Sequence, residues 1–327
     1  NPCLIGTFVP GVGDPAEGMA LAGKNGVASS MYTLPALSLG PRVGFSWEPF
    51  GRGRTAVRGG FGLFFDRIAG NPTMGMLNNP PTVLDPTVYY GVFNDLAAAG
   101  GSAFLAPNAT TSLVGRGRMP TVYNFSLGLQ HQLNRNMILD LAYVGSLARH
   151  TLWQRNINPI PIGATHTDKN PQNLDPTTKR AYAATFLRPI QSFDNINLYE
   201  FASTANYHSL QAGFNRRLTR GLQVGGNYTF SKVLGTAKGD STAVNPFFDP
   251  RHFNYGPLDY DRTHTVSIRY NWTLPKPGRR THIRALGVVA DGWQVSGITR
   301  ISSGAPFTPG FALVSSQDTT GTASQGA

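Results

Sequence analysis

Apolar and polar residues alternate along much of this chain with a period of two. From Tyr123 the apolar positions are Tyr123, Phe125, Leu127 and Leu129, and Asn124, Ser126, Gly128 and Gln130 lie between them. After a polar turn at Asn134-Arg135-Asn136 the alternation resumes with Met137, Leu139, Leu141 and Tyr143. Such alternation marks a strand with unlike faces, and a short polar turn between two such runs marks a hairpin. The same signature recurs in "RVGFSWEP" with "TAVRGGFGLFF", in "LQAGFNRRL" with "LQVGGNYTFS", and in "HTVSIRYNWTL" with "GWQVSGITRIS". Ile298 breaks the pattern in the last of these runs.

Eight strands in four hairpins are therefore expected between residues 41 and 309, with irregular segments at 1–40 and 310–327. Short connections close the hairpins, 275–288 being the longest of them, and long ones at about 66–119, 147–206 and 232–261 separate the hairpins. Strands of about 10–13 residues, at ~3.3 Å per residue and tilted by about 40°, rise roughly 30 Å, close to a hydrocarbon thickness. Trp47, Tyr123, Tyr143, Tyr228, Trp272 and Trp293 fall near strand ends, as interfacial girdles require. The expected fold class is all-β: an antiparallel transmembrane β-barrel segment with short periplasmic turns and long extracellular loops. A soluble sandwich or propeller shows the same alternation, but its solvent face recruits more Lys and Glu than this polar face carries.

Composition sharpens that choice. Only 14% of the 327 residues are charged, against about 25% in a typical soluble domain. No apolar run approaches the ~20 residues of a membrane helix, which leaves the β-barrel untouched because its apolar residues are diluted one in two. The net charge of +11 raises nucleic-acid binding. The basic residues, however, are scattered through turns such as "GRGR" (51–54) and "PKPGRR" (275–280), and no nucleic acid is expected as a partner. The single Cys3 supports no disulfide framework. The chain opens on Asn-Pro-Cys without Met or signal segment, so a fragment or processed piece is expected.

The block "PRVGFSWEPFGRGRTAVRGGFGLFFDR" (41–67) resembles a strand–turn–strand unit of TonB-dependent outer-membrane receptors of the Oar-like type. "YNFSLGLQHQLNRNMILDLAYVGSLARH" (123–150), "NYHSLQAGFNRRLTRGLQVGGNYTFSKVL" (206–234), "GPLDYDRTHTVSIRYNWTLP" (256–275) and "GWQVSGITRISSGAPFTP" (292–309) are similar to later blocks of the same barrel, in the family's order. The resemblance implies a barrel of about 22 strands, a plug domain of the same full-length chain, and a TonB-type energising protein engaged through a missing N-terminal part. It implies passage or binding of a bulky substrate across the outer membrane, with outer-membrane lipid around the barrel. A structural or adhesive barrel that transports nothing is the alternative.

Candidate chemistry is sparse. By alternation Arg58, Arg217, Arg269 and Arg300 face the lumen, where they suit plug carboxylates, a substrate path, or pairing with Glu48, Asp66 or Asp140. Tyr89, Tyr90, Phe93, Trp153 and Tyr199 fall on the expected long loops, where ligand contacts concentrate. "DPRHFNYGPLDYDRTH" (249–264) gathers Asp249, His252, Asp259, Asp261 and His264, but its spacing matches no zinc or calcium loop. A loop returning to a strand, with Asp261 and Arg262 in polar pairs at the rim, is the expected role. "GRGRTAVRGG" (51–60) lacks the Gly-Lys-Ser/Thr ending of a phosphate loop. No catalytic order stands out, so neither enzyme nor cofactor is expected.

Overall fold

The computed structural model describes residues 37–68, 70–79, 108–114, 117–166, 170–174, 179–190, 193–219, 221–276 and 291–309, with isolated short pieces elsewhere. Its strands are β1 (Arg42–Trp47), β2 (Thr55–Phe65), β3 (Asn108–Leu113), β4 (Thr121–Asn134), β5 (Met137–Asn156) and β6 (Phe193–Thr219), followed by β7 (Leu222–Gly235), β8 (Ala243–Val244), β9 (Gly256–Pro257), β10 (His264–Thr273) and β11 (Gln294–Ser302). All belong to one sheet, whose main order is β1-β2-β4-β5-β6-β7-β10-β11. Every neighbouring pair on that path is antiparallel. The four expected hairpins are thus present and adjacent in chain order.

Register carries the alternation across the sheet. One row of partners runs Val57–Leu129–Leu141–Ala212–Tyr228–Val266–Ile301. The row beside it runs Arg58–Gly128–Ala142–Gln211–Thr229–Thr265–Ser302. Because successive side chains point to opposite faces, matching rows make one face mainly apolar and the other mainly small or polar, with Phe64, Val122, Ile138, Val144 and Ile298 as apolar exceptions on the second. Aromatic rings fill gaps on the apolar face: Phe45, Phe125 and Tyr270 each lie over the glycine directly opposite, Gly59, Gly145 and Gly297. At Gly145 the ring of Phe125 leaves no room for a Cβ.

The hairpin turns gather at one end of the sheet and the long connections at the other. Strand lengths differ from expectation at both extremes, β1 having only 6 residues and β5 and β6 having 20 and 27. Pairing of β5 with β4 stops at Arg149, and pairing of β6 with β7 stops at Ala205, yet β5 and β6 continue together to Asn156 and Asn197. The stretch 147–206, expected as one long loop, is therefore strand at both ends, over 147–156 and 193–206, with the connection confined to 157–192. The ribbon stands beyond its neighbours and recruits β3 in parallel on β6 and β8 in parallel on β5. β9 extends the β7 edge at Leu234–Gly235. None of these three short strands is legible from alternation. The connection 275–288 and the segments 1–40 and 310–327 fall largely outside the described residues.

This outer ribbon supports the hydrophobic cluster formed by Met76, Leu113, Leu152 and Tyr199, with Tyr32, Ile68 and Phe201 packed against it. Asn158, fully buried, holds the following turn: its Nδ2 donates to the carbonyls of Ile190, Phe193 and Asp194, and its Oδ1 accepts from the Ile190 N–H. Arg188 donates to the Asn158 carbonyl and pairs with Asp194 at 2.6 Å.

At the opposite end Gly221 turns the chain from β6 to β7 with φ of +81°, and a Cβ there would meet the Thr273 carbonyl oxygen at 2.8 Å. A Cβ on Gly60 would meet nothing closer than 3.6 Å. Gly221→Ala is expected to cost on the order of 1–3 kcal/mol, since it combines left-handed backbone with a backbone clash. Gly60→Ala is expected to fall within about 0.5 kcal/mol of the parent. Urea unfolding in detergent micelles checks both; equal effects would contradict this account of the turn.

Candidate functional site

The apolar face is exposed in the isolated chain: Trp47 is 61% exposed, and Val43, Phe45, Leu127, Leu141, Tyr228, Trp272 and Ile301 are likewise open. Such a band, running across eight strands, far exceeds the few hundred Å² of contiguous apolar surface that a soluble monomer shows. It needs lipid as its solvent. Trp47, Trp272 and Trp293 mark the turn end of the band. Closer to the other end, the Tyr143 hydroxyl meets His208 Nδ1 at 2.7 Å and the Tyr228 hydroxyl meets His264 Nδ1 at 2.9 Å. Tyrosine hydroxyls that would otherwise lie bare in an apolar band thus find partners.

The polar face carries the chemistry. Arg58, Arg269 and Arg300 lie on it, paired across strands with Gly128, Gly225 and Ser267. Arg217 follows Asn215 onto the same register beside a bulge, and its backbone N–H donates to the Asn136 carbonyl. None of Arg58, Arg269 and Arg300 forms an ion pair among the described residues; Arg269 donates to Asn215 Oδ1 at 2.7 Å. The acids expected to neutralise them are engaged elsewhere. Asp140 accepts from Gln130, Glu48 from the Gly53 N–H, and Asp66 from the Arg67 N–H.

Among the described residues, cavities open on or beside this face. Toward the turn end, one of about 340 Å³ holds Arg58, Glu48 and Gln130, and another of about 380 Å³ holds Arg269, Asn271 and Gln223. At the long-connection end a cavity of about 570 Å³ is lined from β4 to β11, by Val122, Ser146, Tyr207, Thr229, Thr265 and Arg300, and by Tyr260 and Arg262 above them. Strands five places apart line one space, so the polar face is the concave one.

The segment 256–263 that roofs this cavity is held by Asp261, 2% exposed. Its Oδ2 pairs with Lys232 Nζ at 2.7 Å and its Oδ1 accepts from the Val233 N–H at 2.8 Å. The expectation of Asp261 in a polar pair at the rim is met by Lys232, while Arg262 uses Nη1 on the carbonyls of Asp259 and Asp261. The other possible metal ligands are dispersed: Asp259 pairs with Lys238, Asp249 with His252, and His264 with Tyr228.

The expected loop aromatics need correction. Tyr89, Tyr90 and Phe93 lie outside the described residues. Trp153 and Tyr199 are not on a loop: they belong to β5 and β6 and are 3% and 6% exposed. The outer ribbon buries them, and Trp153 Nε1 donates to Glu200 Oε2 at 2.8 Å. Arg155 binds the same carboxylate through Nε at 2.9 Å and Nη2 at 2.6 Å, a forked pair invisible to sequence reasoning because its partners lie 45 residues apart. Burial pushes the Glu200 carboxyl up, but the bonds from Arg155 and Trp153 outweigh it and hold it below its ordinary value. A depressed carboxyl stabilises above its unfolded pKa, and that stabilisation is lost as pH falls through the folded value. Acidification through and below the usual carboxylate range is therefore expected to strip amide-exchange protection from 152–156 and 197–201. In Glu200→Gln that pH dependence should vanish; its persistence would assign the loss to another group.

Comparison with known proteins follows the same lines. The sequence profile described as "Outer membrane beta barrel domain" matches residues 3–327. No curated protein matches the sequence. Among solved structures, the outer membrane transporter YddB from Escherichia coli is similar at 12% identity and a TM-score of 0.41, covering 70% of this chain and 26% of that one. A mutant of the ferric enterobactin receptor from Pseudomonas aeruginosa is similar at 12% identity and a TM-score of 0.39, over 72% and 26%. The FrpB iron transporter from Neisseria meningitidis is similar at 12% identity and a TM-score of 0.36, over 73% and 25%. The chain thus spans about a quarter of each of these proteins. Its apolar band, its concave polar face and the profile match over 3–327 place it in the outer membrane, and the chain belongs to the outer membrane beta barrel domain family.

Proposed function

We propose that this chain forms part of a TonB-dependent transporter or receptor of the Oar-like type, whose barrel binds or passes a bulky substrate. The observation that carries this reading is the concave polar face with its outer cavity, set where the long connections gather. A barrel that only filled space would pack its lumen with side chains. Here Gly44, Gly60 and Gly128 leave that face bare over β1, β2 and β4. Arg58 and Arg269, without ion pairs among the described residues, suit a plug domain of the full-length chain on the turn side, and a TonB-type protein would supply the energy to move it. The short turns then face the periplasm and the long connections face outward.

Two labelling experiments in intact cells test this, with Cys3 first replaced by Ser. Impermeant maleimide is expected to label Ile162→Cys, exposed on the β5–β6 connection, and to spare Arg135→Cys in the β4–β5 turn. Equal labelling would refute the orientation. A probe on the polar face near the turn end, Ser46→Cys, is expected to label only when the TonB-type protein is present and energised. Labelling that ignores that protein would end the transport reading and favour a structural or adhesive barrel.

A further inference from the structure

We infer that the outer cavity beneath Arg262 and Arg300 is a binding site for an oxyanion, a carboxylate or phosphate carried by a solute arriving from the long-connection side. The inference rests on the receptor reading above and names the ligand chemistry of that face. The cavity is lined by Arg262 and Arg300, by the hydroxyl-bearing residues Tyr207, Tyr260, Thr229 and Thr265, and, among the described residues, by no acidic one. An Arg side chain offers five N–H donors and no acceptor, in a fork that matches a planar or tetrahedral oxyanion.

The local acids do not satisfy these donors. Asp261, next to Arg262 in sequence, spends both carboxylate oxygens on Lys232 and the Val233 N–H. Asp259 pairs with Lys238 at 3.2 Å. Arg262 is steered by its neighbours rather than neutralised: Nη1 donates to two backbone carbonyls, and Nε and Nη2 have no protein partner among the described residues. The Arg300 side chain has neither a hydrogen bond nor an ion pair among them. Ser231 Oγ donates to the Arg262 carbonyl, so β7 fixes the backbone from which this side chain projects. Burial first, and then the Asp259 carboxylate, push the Tyr260 phenol upward.

The arrangement is a set of preplaced donors around a space of about 570 Å³, ample for a compact polyanion. Charged hydrogen bonds to an oxyanion are roughly twice as strong as neutral ones, which gives the site its selectivity for charge over size. Arg58 and Arg269 line separate cavities toward the turns and do not take part.

Calorimetric titration of the full-length protein in detergent micelles tests the site with three probes: tripolyphosphate, trigalacturonate and the neutral maltotriose. One or both polyanions are expected to bind, with maltotriose silent, and the probe that binds tells phosphate from carboxylate. Arg300→Gln and Arg262→Gln are each expected to weaken binding by roughly tenfold, Arg300→Lys by less, and Arg58→Gln by under about twofold. Arg300 makes no described contact that the fold needs, so its variants report on binding rather than folding. Binding of neither polyanion, unchanged affinity in both Gln variants, or an equal loss in Arg58→Gln would overturn the inference. Binding in micelles needs no energising protein. A saturable site without TonB-dependent labelling would keep this inference and remove transport, and the opposite result would do the reverse.

Discussion

In hydrocarbon there is no water to hydrogen-bond a bare peptide group, so every spanning N–H and C=O must pair with another strand. This constraint organises the chain. Eight strands run antiparallel to their neighbours, and their ladders pair the backbone of every strand lying between the two edges, β1 and β11. Side chains are then free to answer the solvent on each face. Leu, Val, Phe and Tyr point one way and Ser, Thr, Asn, Gln and Gly the other, which is why so few charges are present.

Where the strands leave the hydrocarbon the constraint changes, and so does the architecture. Beyond Arg149 and Ala205 a bare two-stranded ribbon would be marginal in water. β3 and β8 flank it, and Leu113, Leu152, Tyr199 and Met76 build a buried cluster of the kind the membrane band does not need. Asn158 ties down the connection at Ile190–Asp194, and the Arg155–Glu200 fork joins the two strands of the ribbon. The same transition sets the outer cavity. Segment 256–263 turns back over the polar face, and the buried Asp261 ties it to β7.

Much of this was legible in the sequence, for a physical reason. A strand between two unlike solvents must alternate strictly, and Tyr123–Gln130 or Leu222–Phe230 have no other way to satisfy both. The outer ribbon hid because its alternation is broken: His150 adopts φ of +57°, and the β5–β6 register shifts on either side of Thr151. Counting by twos fails across such a bulge, so Trp153 and Tyr199 read as loop residues when they are buried strand residues. Arg58, Arg269 and Arg300 were legible because alternation alone places them on the polar face. The role of Arg262 was not, since it depends on contacts with Asp259, on Ser231 of β7 and on the distant β11 edge.

The claim on which all else rests is that the odd-numbered side of β4 meets lipid and the even-numbered side meets water. Single nitroxide labels from Tyr123 to Gln130, in the full-length protein reconstituted into vesicles, measure this directly through collision with oxygen and with a water-soluble nickel chelate. Oxygen access should peak at 123, 125, 127 and 129, and nickel access at 124, 126, 128 and 130. Accessibility without a period of two, or with the phases exchanged, would contradict the account.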